Sequence, residues 1–135
     1  MNRQIKFRVW NKVRGEMFES AIYNAPDSFD MILKHPQVYV PMQYTGLHDK
    51  NSKEVYEGDI VKMHYFSEEF ASDLGVLEKD NTITGDIQYR QDFATYVVNT
   101  KDQDYTISEY CQEPSEELEV IGNIYEYPHL LQDKA

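Results

Sequence analysis

Short runs in which every second residue is apolar, each closed by glycine, proline, aspartate or asparagine, recur along most of this chain and commit it to β structure. In the first run Ile5, Phe7 and Val9 point one way and Lys6, Arg8 and Trp10 the other, as a strand with one buried face requires. Asn11 to Gly15 supplies a turn, and Glu16 to Tyr23 reads as the returning strand of a hairpin. Asp27 or Ser28 then caps a short helix carrying Phe29, Ile32 and Leu33 on one side. His35-Pro36 stops it, because the residue before proline avoids helical angles. Val38 to Tyr44 is strand-like again, and Pro41, which has no donor for a ladder bond, predicts an edge or a bulge there.

Further along, one local device recurs. Gly58-Asp59-Ile60, Gly85-Asp86-Ile87 and Gly122-Asn123-Ile124 each place a glycine, a short side-chain acceptor and a β-branched residue before or within a strand. Their unequal spacing excludes a sequence repeat and points to one structural solution used three times. Strands are expected at Ile60–Tyr65, Gly75–Lys79, Thr82–Arg90, Phe93–Asn99 and Tyr105–Ile107, with turns at Asp80-Asn81, Gln91-Asp92 and Thr100–Asp104. Phe66, Phe70 and Leu74 stand at helical spacing in an acidic stretch, which reads as a loop with one helical turn covering a barrel mouth. Gln112 to Glu117 is a polar break, expected to be flexible, and Pro128–Gln132 a last turn or short helix. The expected fold is mainly β (all-β or β-rich α+β): an N-terminal hairpin and edge strand, then a small SH3-like barrel, with one or two short helices.

One domain over residues 1–135 suits this length, which suffices to bury roughly two-thirds of the unfolded surface. Charge divides it into a basic subregion, 1–53, and an acidic one, 54–131. Up to Lys53 there are eight basic residues against five acidic, a net +3; beyond it five against nineteen, a net −14. The first fourteen residues hold five positive charges and no acid. An acidic surface repels phosphate backbones, so non-specific nucleic-acid binding is not expected of the C-terminal part. Single Cys111 cannot form an internal disulfide and suits a reducing cytoplasm. Met1 to Lys6 contains no continuous apolar run, and no stretch approaches the roughly 20 apolar residues of a membrane-spanning helix. A cytoplasmic protein with no membrane contact is expected.

Candidates for chemistry are few. His35, His48, His64 and His129 lack metal-ligand spacing. Asp59 and Asp86 each follow a glycine at a strand start, where turn capping accounts for them better than a cation site. No phosphate-binding glycine loop or nucleophile elbow is present, and Glu116 and Glu117 are adjacent and cannot flank a substrate. Neither enzyme activity, nor a cofactor, nor a metal is therefore expected. Eleven tyrosines, six phenylalanines and one tryptophan instead favour contact surfaces. Arg3, Lys6, Arg8, Trp10, Lys12 and Arg14 form the candidate interaction surface. A protein contact is the favoured use of that surface; a nucleic acid is the alternative, and Trp10 simply covering its own hairpin is a third reading.

The tract Met42-Gln43-Tyr44-Thr45-Gly46-Leu47-His48-Asp49-Lys50-Asn51-Ser52-Lys53-Glu54-Val55-Tyr56-Glu57-Gly58-Asp59-Ile60-Val61 resembles a signature of the YopX family, small proteins encoded by phages and prophages. The closing Val120-Ile121-Gly122-Asn123-Ile124-Tyr125-Glu126 and the opening Ile5 to Asn11 resemble the same family, so the likeness spans about residues 5 to 131. Ser52 departs from it, standing where the pattern has glycine. Tyr44, Gly46, Gly58, Asp59, Gly85, Asp86, Gly122 and Asn123 are read as structural-motif positions, Gly85 and Asp86 from the recurring glycine-led device and not from the resemblance. The resemblance implies a phage or prophage accessory protein in a bacterial host and carries no chemistry onto any residue. The resulting expectation is a non-catalytic interaction module that associates with itself, with a host protein as a further partner.

Overall fold

The structure, a computed structural model, describes residues 5–19, 30, 32–73 and 75–132. Its strands are β1 (Phe7–Asn11), β2 (Glu16–Glu19), β3 (Tyr39–His48), β4 (Glu54–Tyr56), β5 (Asp59–Ala71), β6 (Gly75–Arg90), β7 (Thr95–Asn99), β8 (Asp104–Thr106) and β9 (Leu118–Asn123). Three short helices, α1 (Ile107–Tyr110), α2 (Pro114–Glu117) and α3 (His129–Gln132), fall in the second half. One sheet has the order β2-β1-β3-β4 and the other β8-β7-β6-β5-β9, every pairing antiparallel. This is the mainly β, barrel-like fold with a curled antiparallel sheet that the alternation predicts.

The first hairpin forms because Asn11 turns its side chain back on the chain. Its Oδ1 accepts the N–H groups of Val13 and Arg14, both at 3.0 Å, and Gly15 takes the positive φ of 65° that reverses direction. The expected continuation to Tyr23 and the Asp27 or Ser28 cap with Phe29 lie outside the described residues. Residues 32–34 are helical and stop before Pro36; Ile32 packs on Val9, while Leu33, expected beside it, is 56% exposed. Strand β3 lies between β1 and β4, but β1 flanks Tyr39–Gln43 and β4 only Tyr44–His48, so among the described residues the Pro41 part of it keeps the open edge that Pro41 predicts. Tyr44 N–H donates to the Lys6 carbonyl and Lys12 N–H to that of Val38, which puts Pro41 opposite Val9 in a pair without mutual hydrogen bonds. The missing donor of Pro41 therefore faces away from β1, before pairing with β4 begins at Tyr44.

The β3–β4 turn is organised by one carboxylate. Asp49, 2% exposed, accepts Asn51 and Lys53 N–H on Oδ1 at 2.9 Å and Val120 N–H on Oδ2 at 2.8 Å, so the turn is fastened to β9 in the other sheet. Lys50 N–H donates to the Leu118 carbonyl at 2.8 Å beside it. Ser52 adopts φ 65°, a conformation that costs a side-chain-bearing residue about 1–2 kcal/mol. Replacing Ser52 by glycine is expected to stabilise the protein by about 1 kcal/mol, a rise of about 3–5 °C in thermal midpoint measured by circular dichroism.

Val55, Val61, Met63, Ile87, Val98, Ile107, Cys111 and Leu118 form the main core against the second sheet. The second sheet and its helices depart from the expected pattern at three places. The segment after Tyr65 is no loop: β5 and β6 pair continuously from Ile60↔Asp86 to Ala71↔Gly75, and Asp80-Asn81, expected to turn, sits inside the ladder opposite Phe66 and Tyr65. Asn81 is held there by donating to Ser67 Oγ at 2.9 Å. Ile107 does not extend β8 but starts α1, which drops its side chain, 4% exposed, into the core. The polar break after Gln112 contains α2, whose Pro114 needs no N–H at a helix start and whose Glu117 side chain accepts the Glu113 N–H at 2.7 Å. The turn expected at Gln91-Asp92 runs on through Phe93 and Ala94, so β7 starts at Thr95 and not at Phe93, and the turn expected over Thr100–Asp104 gives Asp104 to β8; the last helix falls within the expected Pro128–Gln132.

Candidate functional site

The three glycine-led devices, scattered in sequence, meet in space. Ile60 pairs with Asp86 on one side and Gly122 on the other, Asp59 pairs with Asn123, Gly58 N–H donates to the Ile87 carbonyl and Ile124 N–H to that of Gly58, both at 2.9 Å. The result is a belt across β6, β5 and β9 with Asp59, Asp86 and Asn123 all buried. Because Asp86 pairs with Ile60, Asp59 one residue earlier faces the opposite side of the sheet, so the two carboxylates do not converge. Among the described residues no group of three histidine, cysteine or carboxylate side chains is placed to hold a metal ion.

Much of the expected basic surface is turned inward. Arg8, 3% exposed, is bonded to Asp59 at 2.6 Å and lies over the Tyr56 ring at 4.9 Å. Burial raises the Asp59 carboxyl above its ordinary range against the pull of Arg8. Lys6 pairs with Glu54 and stands 5.2 Å over Tyr44, and Trp10 stacks on Tyr125 with centroids 5.6 Å apart. Burial raises the Glu54 carboxyl, but hydrogen bonds from Lys6 and Tyr56 outweigh it and leave that group below its usual value. The strand joins the two sheets; it is not an open platform, because β1 is covered on both faces where a single buried face was expected. Lys12 is exposed, Arg14 is exposed near Glu16 at 4.0 Å, and Arg3 lies outside the described residues.

A free surface emerges instead from β5 and β6. Strand β9 accompanies β5 only from Asp59 to Met63, and β7 accompanies β6 only from Asp86 to Arg90. Beyond those limits, among the described residues, the two strands have no ladder partner but each other; Tyr65 and Ile83 still pack against the core, and past them the ribbon projects as an arm. Phe66, Phe70 and Val76 share one face of it, exposed by 53%, 81% and 58%, and Leu77 on the other face is 44% exposed. Five acids, Glu68, Glu69, Asp73, Glu78 and Asp80, stand against Lys79 alone, a net −4. Glu68 and Glu78 face each other directly, a repulsive cross-strand pair, while His64 Nε2 lies 2.7 Å from Asp80. Nothing in the sequence reading placed these residues in a contact surface; the available signal was that four-residue spacing of phenylalanines also keeps to one face of a strand.

Cys111 is an unsuitable nucleophile. Burial, reinforced by the Glu117 carboxylate 3.8 Å from Sγ, pushes its thiol up to about 12. Its reaction with a disulfide reagent near pH 8 is expected to run about three orders of magnitude slower than that of free cysteine, and to recover fully in denaturant, followed spectrophotometrically.

Two antiparallel sheets, an arm grown from one hairpin and a few short helices define a small β-rich, barrel-like protein with no helix, among the described residues, long and apolar enough to cross a membrane. The chain belongs to the YopX family, described as YopX protein, whose pattern matches residues 6–132. Its fold is similar to that of the solved structure described as protein EF1440 from Enterococcus faecalis, at a TM-score of 0.57 and 24% identity over 96% of this chain and 99% of that one. No curated protein matches the chain.

Proposed function

We propose that this is a non-catalytic accessory protein of phage or prophage origin that acts in the bacterial cytoplasm through protein contacts, the first of them with further copies of itself. The observation that carries the reading is the arm: four large apolar side chains left in water on a two-stranded ribbon that has open edges on both sides. Covering each such side chain is worth about 1.5–3 kcal/mol, and an isolated ribbon of this kind is only marginally stable in water. Charge supplies the direction. The arm's net −4 complements the exposed tip of the first hairpin, where Lys12 and Arg14 flank Val13, itself 76% exposed. Contact of arm on tip is head to tail, which closes into a ring when the rotation allows. The nucleic-acid alternative is weaker, because Arg8, Lys6 and Trp10 are engaged within the chain.

Light scattering across protein concentration and salt tests the reading. Wild type is expected to be oligomeric at low salt, to dissociate as salt rises, and to become monomeric in the pair F70S/V76S or in K12E/R14E. Adding E68K/E69K to K12E/R14E is expected to restore assembly. A wild type that stays monomeric at high concentration and low salt defeats the proposal.

A further inference from the structure

Three aspartates are buried in or beside strands, and two of them are fully provided for. Asp49 takes three backbone N–H groups, and Asp59 takes Arg8 and the Tyr56 N–H. Asp86, 7% exposed, takes only the side-chain amide of Gln88, on Oδ2 at 2.8 Å. Among the described residues no cation forms an ion pair with it and Oδ1 accepts no hydrogen bond. Arg90, further along the same strand face, is already forked onto Asp104, Nε to Oδ2 at 2.6 Å and Nη2 to Oδ1 at 3.2 Å. Oδ1 is not a buried orphan atom, so it reaches solvent through the cleft that Asp86 lines, where a carboxylate without a counter-charge is open to a cation.

Asp86 lines a cleft of about 680 Å³, within the range that takes a small ligand or a long side chain. Thr82 and Thr84 contribute hydroxyls along one side, Leu131 an apolar contact, and Lys101 and Asp102 stand at the exposed rim. The ladder of β7 on β6 ends at Asp86↔Asn99, with the Asn99 carbonyl still against Gly85, so among the described residues the edge of β6 from Thr84 back to Thr82 has no ladder partner beside the cleft. We infer that the cleft binds an alkyl ammonium or guanidinium group, its charge at Asp86 Oδ1 and its methylenes against Leu131. A free small cation and the lysine or arginine of an added strand present the same chemistry.

The test uses the full chain and two probes, argininamide and a blocked tripeptide with central arginine, each titrated while the backbone amides of Thr84, Asp86 and Asn99 are followed by NMR. Saturable shifts are expected in wild type. D86N is expected to weaken binding by at least about tenfold while remaining as stable as wild type, and D102N to weaken it by about threefold. Q88K, which places an ammonium beside Asp86 from within, is expected to raise the thermal midpoint and block both probes. K101A is expected to bind at least as well as wild type, since Lys101 is a competitor and not a ligand. Equal affinity for the probes assigns the cleft to a free cation; tripeptide binding about tenfold tighter assigns it to a strand added at the β6 edge. Shifts that do not saturate, or that survive D86N and Q88K unchanged, overturn the inference.

Discussion

Replacing Arg8 by methionine is expected to cost about 3–5 kcal/mol, the usual penalty for stranding one member of a buried ion pair. The side chains of Arg8 and Asp59 are 4% and 1% exposed, so solvent does not screen the loss. Methionine keeps most of the stem volume, which leaves the charge as the main thing removed. Arg8 Nε is itself buried without a partner, which subtracts from the worth of the intact pair and makes a further outcome informative. If charge is the issue, R8M/D59L recovers much of the stability of R8M, because a well-packed apolar pair is often equivalent to a buried salt bridge. The pH dependence has a definite sign. Burial already holds the Asp59 carboxyl above its ordinary value, and without Arg8 it rises further, so folded R8M keeps a proton that the unfolded chain releases. The deficit relative to wild type therefore grows as pH rises above the unfolded aspartate value of about 4 and shrinks as pH falls back toward it. Urea midpoints at neutral pH and near pH 5 check this; a deficit that does not change with pH places the damage in packing.

That Arg8 matters in this way was not legible in Phe7-Arg8-Val9, although the strand itself was. Alternation assigns residues to two faces but does not say whether the second face meets water or another element. Here it meets the turn carrying Glu57 and the start of β5, 49 and 51 residues further on. The same limit explains the arm. Phe66 and Phe70 are four apart, a separation that satisfies a helix turn and a strand face equally, and the choice was decided by cross-strand partners that local sequence does not contain. Asp80 and Asn81 favour turns in isolation, yet the ladder to Phe66 and Tyr65 overrides them.

Where chemistry and backbone geometry coincided, the residues spoke for themselves. Asn11 to Gly15, the halt before Pro36 and the last helix after Pro128 rest on local rules and appear in place. Of the Gly-Asp/Asn-Ile triplets only Gly58-Asp59-Ile60 begins a strand, β5; Gly85-Asp86-Ile87, expected to begin one, lies inside β6, and Gly122-Asn123 ends β9. The convergence of the three was not legible, because it depends on registers that join residues dozens of positions apart. The cleft at Asp86 falls under the same limit: a buried carboxylate with one neutral partner is a property of the assembled belt.

The belt yields the second large effect, in Gly85→Ala. A methyl group there would lie 2.1 Å from the Asn99 carbonyl oxygen and 2.9 Å from both its carbon and Val98 Cγ1. The obstructing oxygen is backbone, so relief requires β7 to separate from β6, and β7 carries Val97 and Val98, both 0% exposed. A loss of more than about 3 kcal/mol is expected, at the upper end of what overpacking does, with the β7 and β8 amides losing hydrogen-exchange protection first. Gly122→Ala is the control. Its methyl would meet Leu130 Cδ1 at 2.8 Å and Tyr127 Cβ at 3.2 Å, and the nearer atom is the end of a side chain on the short helix α3. Rotation of Leu130 relieves that contact, so the cost should stay near about 1–2 kcal/mol. An equal loss in the two variants would mean that the β6–β7 approach has slack that this geometry denies. A loss confined to Gly85→Ala would establish that the absent side chain at Gly85 sets how closely these strands pack, and with it the position of Asp86 at the cleft.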